Sequence, residues 1–111
     1  MATEIENRIF IDGQLVKDFD FEKYLPIPKD LNPEQRNDWL YEHYGCKWFC
    51  KSKDIYEHCH WEDSYVSANG TLGKALYTIS SMMPEVTLKL EYYSPPEFWG
   101  EEVFKDGEVL K

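Results

Sequence analysis

Long apolar runs, basic residues and cysteines are all scarce in this chain of 111 residues. No apolar stretch approaches the roughly 20 residues that a membrane-spanning helix needs. The opening residues, Met-Ala-Thr-Glu-Ile-Glu-Asn, lack the basic and apolar regions of a secretory signal peptide. Three cysteines are an odd number for a disulfide framework, so reduced thiols are expected. These absences predict a cytoplasmic protein that does not associate with membranes.

Acidic residues dominate the charge: 21 acidic against 12 basic residues give a net charge of −9. Such a balance disfavours binding to duplex DNA, which depends on neutralising phosphates. It is typical of a soluble surface, or of a protein attracted to a basic partner. Residues 85–111 carry seven acidic and three basic residues, so we expect the acidic character to be strongest there.

Apolar and aromatic residues, at 42% and 16% of the chain, are sufficient for one core, so residues 1–111 are predicted to form a single domain. Alternating patterns predict strands at 8–16 around an Asp-Gly turn, 47–52, 55–61, 65–69 and 86–93, with a closing hairpin over 98–110. Helical spacing appears at 33–44 and 71–83. This order predicts an α+β, ferredoxin-like sandwich: a mainly antiparallel sheet with two helices on one face and a C-terminal hairpin.

Capping residues mark the predicted helices. Asn32 is a favourable N-cap, Pro33 fits the first helical position, and Gly45 suits the left-handed residue that ends a helix. The second helix is expected to begin with Thr71 as its cap and to end before Pro84.

Lysines and aromatic residues alternate on the predicted sheet and suggest a binding surface. If the helices cover the side of Leu88, Leu90 and Trp48, the open face carries Lys47, Phe49, Lys51, Lys89 and Tyr93. Such a face can stack single-stranded bases, so single-stranded nucleic-acid binding is an alternative function. Ordinary cross-strand packing beneath the C-terminal hairpin explains the same pattern.

A metal site is the sharpest chemical candidate, and the spacing opposes it. Its potential ligands are Cys46, Cys50, Cys59, His43, His58 and His60. Zinc needs four ligands around one point, whereas Cys46 and Cys50 would lie ~13 Å apart on a straight strand. We therefore predict no metal, no cofactor and no catalytic residues. A metal-dependent enzyme using His58 and His60, which share a strand face, is a second alternative.

Several motifs resemble the YubB-type ferredoxin-like family of small bacterial, phage and plasmid proteins. They include the segment Phe-Asp-Phe-Glu-Lys-Tyr-Leu-Pro-Ile-Pro at 19–28 and Trp39 in the following helix. Tyr-Gly-Cys-Lys-Trp at 44–48 is similar to the family's Trp-Gly-Thr-Lys-Trp signature, and Phe-Trp-Gly at 98–100 precedes Asp-Gly at 106–107. The resemblance covers residues 19–110. It implies the fold and a mobile-element origin, and no particular activity.

These observations favour a non-enzymatic, acidic interaction protein, encoded by a phage or another mobile element, that binds a host or partner protein. An inhibitor of a nucleic-acid-binding or defence protein is one concrete version. Its contact residues are predicted to be aromatic anchors and carboxylates near the C-terminus: Tyr93, Phe98, Trp99, Glu97, Glu101 and Glu102.

Overall fold

The structure, a computed structural model, describes residues 3–54, 61–94 and 98–111. Seven strands and three helices occur in these residues. The strands are β1 (Glu4–Ile11), β2 (Gln14–Val16), β3 (Phe49–Lys51), β4 (Tyr65–Ala68), β5 (Leu88–Ser94), β6 (Phe98–Lys105) and β7 (Glu108–Val109). The helices are α1 (Phe21–Tyr24), α2 (Pro33–His43) and α3 (Gly73–Ser80), and a 3₁₀ turn spans Ser52–Asp54.

The described strands form one sheet in the order β3-β4-β1-β5-β6-β7, and β2 pairs with β1. Every pairing is antiparallel. The predicted α+β class with a mainly antiparallel sheet is therefore confirmed. No helix in the described part of the chain is long and apolar enough to cross a membrane.

The first long helix begins and ends where the capping residues predict. The Asn32 side chain accepts a hydrogen bond from the Gln35 backbone N–H at 2.8 Å, and the Gln35 side chain accepts one from the Asn32 N–H at 3.1 Å. This reciprocal pair is a capping box. Pro33 opens the helix, and Gly45, with φ of +82°, follows the C-cap residue Tyr44.

Both Asp-Gly pairs form the predicted tight turns. Asp12 and Gly13 have φ of +49° and +84°, and Asp106 and Gly107 have +48° and +76°. Two successive positive φ values match the twist of the flanking strands, which is why this dipeptide suits hairpins.

The second long helix differs from its prediction at both ends. Its N-cap is Leu72, without a side-chain cap, and Thr71 instead accepts a hydrogen bond from the Gly73 N–H at 3.2 Å. At the other end, the hydroxyls of Ser80 and Ser81 donate to the carbonyls of residues 77 and 78. These side-chain bonds compete with the helical pattern, so α3 ends at Ser80, ahead of Met83.

The strand predicted at 47–52 is shorter than expected, and its Phe49 side chain lies on the opposite face of the sheet from the one predicted. It spans Phe49–Lys51, and the Phe49 ring packs 5.0 Å from that of Tyr44 and 5.6 Å from that of Phe21. The expectation that Phe49 lies on an open face is therefore wrong. The predicted strand at 55–61 falls outside the described residues except for Trp61, which lies in a bend.

A fully buried amide joins the centre of the sheet to the start of α3. Asn7 Oδ1 accepts a hydrogen bond from the Leu72 backbone N–H at 2.9 Å, while its Nδ2 donates to Ser67 Oγ at 2.9 Å. Ser67 donates in turn to the Gly70 carbonyl at 2.6 Å. A Cβ on Gly70 would lie 2.0 Å from the Gly45 carbonyl oxygen, so the backbones of the two helix junctions touch.

We predict that Asn7→Leu lowers the free energy of unfolding by about 3 kcal/mol, because it leaves buried hydrogen-bonding groups of β4 and α3 unpaired. Urea titration followed by circular dichroism measures the change. Gln14→Leu, at an exposed amide on β2, is the control and is expected to cost less than about 0.5 kcal/mol. Equal losses in the two variants would contradict the role given to Asn7.

Candidate protein interface at the outer sheet edge

The residues predicted to contact a partner meet at one end of the sheet, on two different faces. Tyr93 lies opposite Trp99, and Glu91 opposite Glu101, so these four side chains share one face. Phe98 and Glu102 lie on the other face, because Phe98 is opposite Ser94 and Glu102 is opposite the buried Leu90. Glu97 lies outside the described residues.

Exposed apolar side chains line the border of the sheet that includes this end. Phe98 and Trp99 lie at one end of β6, and Val109 lies opposite Phe104, near its other end. Trp99 is 75% exposed and Phe98 59% exposed, and β7 with its following residue adds Val109 and Leu110. We call the border formed by β6 and residues 108–111 the outer edge. Of the eight large exposed hydrophobic side chains in the described residues, four belong to this edge: Phe98, Trp99, Val109 and Leu110.

The helix α3 widens this apolar surface. It packs against β6 and β7, and the ring of Tyr77, which is itself exposed, meets the ring of Phe104 edge-on at 6.3 Å. The Gly107 N–H donates to Ser80 Oγ at 2.8 Å and ties the β6–β7 turn to the end of α3. Met82, two residues after Ser80, is also exposed. Several exposed apolar side chains along one border of a domain are a common feature of interaction surfaces.

Pairing on the outer side of β6 ends at Val103. The Leu110 N–H donates to the Val103 carbonyl at 2.7 Å, and the Val103 N–H donates to the Lys111 carbonyl at 3.2 Å. Leu110 and Lys111 thus both lie opposite Val103, and this arrangement of two residues against one is a β-bulge. From Trp99 to Glu101, no other described strand pairs with β6 on this side.

The predicted acidic contacts have different partners. Glu101 is ion-paired with Lys111, and this hydrogen-bonded ammonium lowers the pKa of the Glu101 carboxyl group. Glu102 is half-buried, with Oε1 3.4 Å from Thr71 Oγ1, beside the first turn of α3. A Cβ on Gly73 would lie 2.7 Å from the same oxygen. Glu102 therefore joins β6 to the N-terminus of α3, where a negative charge is favourable.

The residues predicted for nucleic-acid binding do not form one surface. Phe49 is partly buried and packs against the core, and Lys51, which shares its face, donates to Asp18 at 2.8 Å. Lys89 lies on the opposite face, with its Nζ 4.3 Å from the centroid of the Phe10 ring. Lys47 precedes β3 and donates its backbone N–H to the Ala68 carbonyl. The proposed common face is wrong because the Phe49 ring completes the aromatic core.

A groove of about 460 Å³ on the Trp99 face was missed by the sequence analysis. Its lining includes Arg8, Trp61, Glu91 and Trp99. The Arg8 guanidinium lies 4.2 Å from the centroid of the Trp61 ring and 2.5 Å from Glu91 Oε1. The alternation of Arg8 and Phe10 with isoleucines in β1 was the available signal for this face.

The cysteines and histidines give no metal cluster in the described residues. No group of three His, Cys, Asp or Glu side chains is placed there to hold an ion. His43 stacks on Trp39 with ring centroids 4.3 Å apart, and Cys46 is fully buried. Cys50 is half-buried, while His58, Cys59 and His60 lie outside the described residues.

Comparison with protein-family models, curated proteins and solved structures gives no match for this chain. The interpretation of the outer edge therefore rests on the geometry of the chain itself.

Burial raises the pKa of the Cys46 thiol from 9.0 to about 12, so we predict that Cys46 is inert in the folded protein. With iodoacetamide at pH 8, its alkylation is expected to be about a hundredfold slower than in denaturant. Peptide mass spectrometry measures the two rates, and Cys46→Ala confirms the peptide assignment. Rapid alkylation of native Cys46 would contradict its burial.

The raised pKa of the Cys46 thiol also predicts that its contribution to stability is complete below pH 9 and is lost as pH rises toward 12.

Proposed function

We propose that this chain is a non-enzymatic protein-binding domain and that the outer edge contacts its partner. The concentration of exposed apolar side chains at this edge, led by Trp99 and Phe98, carries the proposal. Exposed aromatic residues become binding hot spots when a partner removes them from water. The surrounding sheet and α3 hold them on regular elements, so little ordering is needed on binding.

The charge indicates which kind of partner fits. The net charge of −9 opposes nucleic acid and favours fast association with a basic protein surface. A protein whose basic groove normally holds nucleic acid is the partner class that fits this charge. On this proposal the chain acts as an inhibitor, and with the YubB-type resemblance it comes from a phage or another mobile element and acts in the cytoplasm of a bacterial host.

We further propose that the fold is a ferredoxin-like sandwich. The strand order β3-β4-β1-β5 supports it, with a helix between β1 and β3 and another between β4 and β5. Contacts of both helices point to one face: Tyr44, at the end of α2, stacks on Phe49, and Tyr77 of α3 meets Phe104. The Asn7 bond to Leu72 lies on the same side of the sheet.

Removal of the most exposed anchor tests the interface. We expect Trp99→Ala to reduce retention of the partner from a lysate of host cells by about 30-fold, as for a hot-spot aromatic residue worth about 2 kcal/mol. Immobilised wild-type and variant proteins are compared by quantitative mass spectrometry at low and moderate salt.

Tyr41→Ala is the matched control, because Tyr41 is an exposed aromatic residue on α2, away from this edge. We expect it to retain the same proteins as the wild type. Equal retention by wild type and Trp99→Ala, or an equal loss with Tyr41→Ala, would count against the outer edge. An absence of any retained partner would count against the function itself.

A second candidate is single-stranded nucleic-acid binding by the face that carries Phe10, Trp61, Tyr93 and Trp99. Four aromatic residues on one face of a sheet are a specific feature in its favour. The Arg8 and Lys89 side chains both contact Glu91, which leaves less positive charge for phosphates.

This candidate predicts quenching of tryptophan fluorescence by a 12-nucleotide oligothymidylate at low salt. Quenching is expected to weaken at higher salt, because cations are released, and to be reduced in Phe10→Ala. A titration without quenching would eliminate the candidate.

A further inference from the structure

We propose, building on the function above, that the partner supplies an extended basic segment that adds as a strand to the outer edge between Trp99 and Glu101. The backbone of β6 would pair with this segment, and the side chains of β6 would select its sequence.

The backbone groups of Trp99 and Glu101 point away from β5. Along a strand, successive residues direct their N–H and C=O groups to opposite sides. Val103 directs both of its groups outward, to Leu110 and Lys111. Glu101 and Trp99 lie two and four residues before Val103, so their N–H and C=O groups point to the same side of β6. Their four hydrogen-bonding groups face the side on which no described strand continues.

An incoming strand would meet these groups beyond Val103, the last residue of β6 that is bonded to residues 108–111 in the described structure. A free edge is a template for another strand, and proteins commonly protect long apolar edges. Among the described residues, the pairing of 108–111 reaches along β6 only as far as Val103, so a segment of about four residues can pair with Trp99 and Glu101. The two backbones would exchange up to four hydrogen bonds.

The side chains specify an alternating apolar and basic sequence. Trp99 and Phe98 lie on opposite faces of β6, so apolar residues on either side of an added strand have an anchor to contact. Gly100 lies between Trp99 and Glu101. Glu101 is ion-paired with Lys111 and Glu102 lies beside the first turn of α3, so the preference for cations comes from the wider region. Residues 85–111 carry seven acidic and three basic residues, a net charge of −4.

A second copy of this chain fits the edge less well. Antiparallel pairing of two β6 strands about Gly100 would place Glu101 opposite Trp99 of the copy. It would also bring together two chains of net charge −9, which repel each other. The charge therefore favours a basic segment of another protein.

The probe for this inference is the synthetic peptide acetyl-Val-Lys-Val-Lys-Val-Lys-amide, studied by NMR with the whole chain. At ten times the concentration that half-saturates the chemical shifts, hydrogen exchange at the Trp99 and Glu101 amides is expected to slow about 11-fold. The Gly100 and Glu102 amides face β5, so their exchange is expected to change little. The matched peptide with Glu in place of Lys is expected not to bind.

Two substitutions at one position separate backbone pairing from side-chain contact. Glu101→Gln removes the charge and keeps the outward N–H, whereas Glu101→Pro removes both. An edge strand accepts proline where the N–H faces outward, and thermal unfolding checks that both variants fold. We expect Glu101→Pro to weaken peptide binding at least tenfold and Glu101→Gln less than threefold.

Three results would overturn strand addition. They are equal weakening by the two variants, shifts without slower exchange at Trp99 and Glu101, and no peptide binding up to its solubility limit. Protection that grows with protein concentration in the absence of peptide would identify a second copy as the occupant and would overturn the assignment of a basic segment of another protein. If retention of a partner through Trp99 persists in these cases, the proposed function stands and only the binding mode fails.

Discussion

The buried Asn7 amide is the constraint on which the arrangement of the sheet and α3 depends. One side chain pairs with β4 through Ser67 and accepts the backbone N–H of Leu72, the residue that precedes the first turn of α3. Unpaired polar groups are costly in a core, so the amide allows one placement of α3 over β1 and β4. Through Tyr77 and the first turn beside Glu102, α3 then fixes β6. The position of the outer edge thus follows from a contact at the centre of the molecule.

Exposed apolar edges usually favour aggregation, and this chain combines two features that limit it. The bulge at Leu110 and Lys111 interrupts the pairing beside Val103. The net charge of −9 makes association between identical chains unfavourable. Neither feature prevents contact with a partner of opposite charge. Selectivity for a basic partner would then result from repulsion between like chains as well as from attraction.

Features encoded within a few residues could be predicted from the sequence, whereas those set by distant residues could not. The capping box of Asn32 and the turn at Asp12 form between residues that are close in the sequence, so both can be predicted from it. The residue before the first turn of α3, Leu72, is held by Asn7, 65 positions away, and no local pattern contains that bond. The orientation of Phe49 was misjudged for the same reason. Its ring packs against Phe21, and alternation along β3 alone cannot distinguish the two faces.

The candidate interface was predictable only in part, for a related reason. Trp99 and Phe98 were found because adjacent aromatic residues in an acidic segment suggest anchors. Val109 and Tyr77 join the same border, beside Phe104 at the other end of β6, only after β7 pairs with β6 and α3 packs on both. Trp99 belongs both to the outer edge and to the groove beside Arg8. A nucleic acid in that groove would have to compete with Glu91 for the Arg8 guanidinium, whereas a strand at the edge leaves this ion pair intact. The Arg8–Glu91 ion pair therefore counts against nucleic acid in the groove, whereas a basic segment at the edge would compete with Lys111 for Glu101.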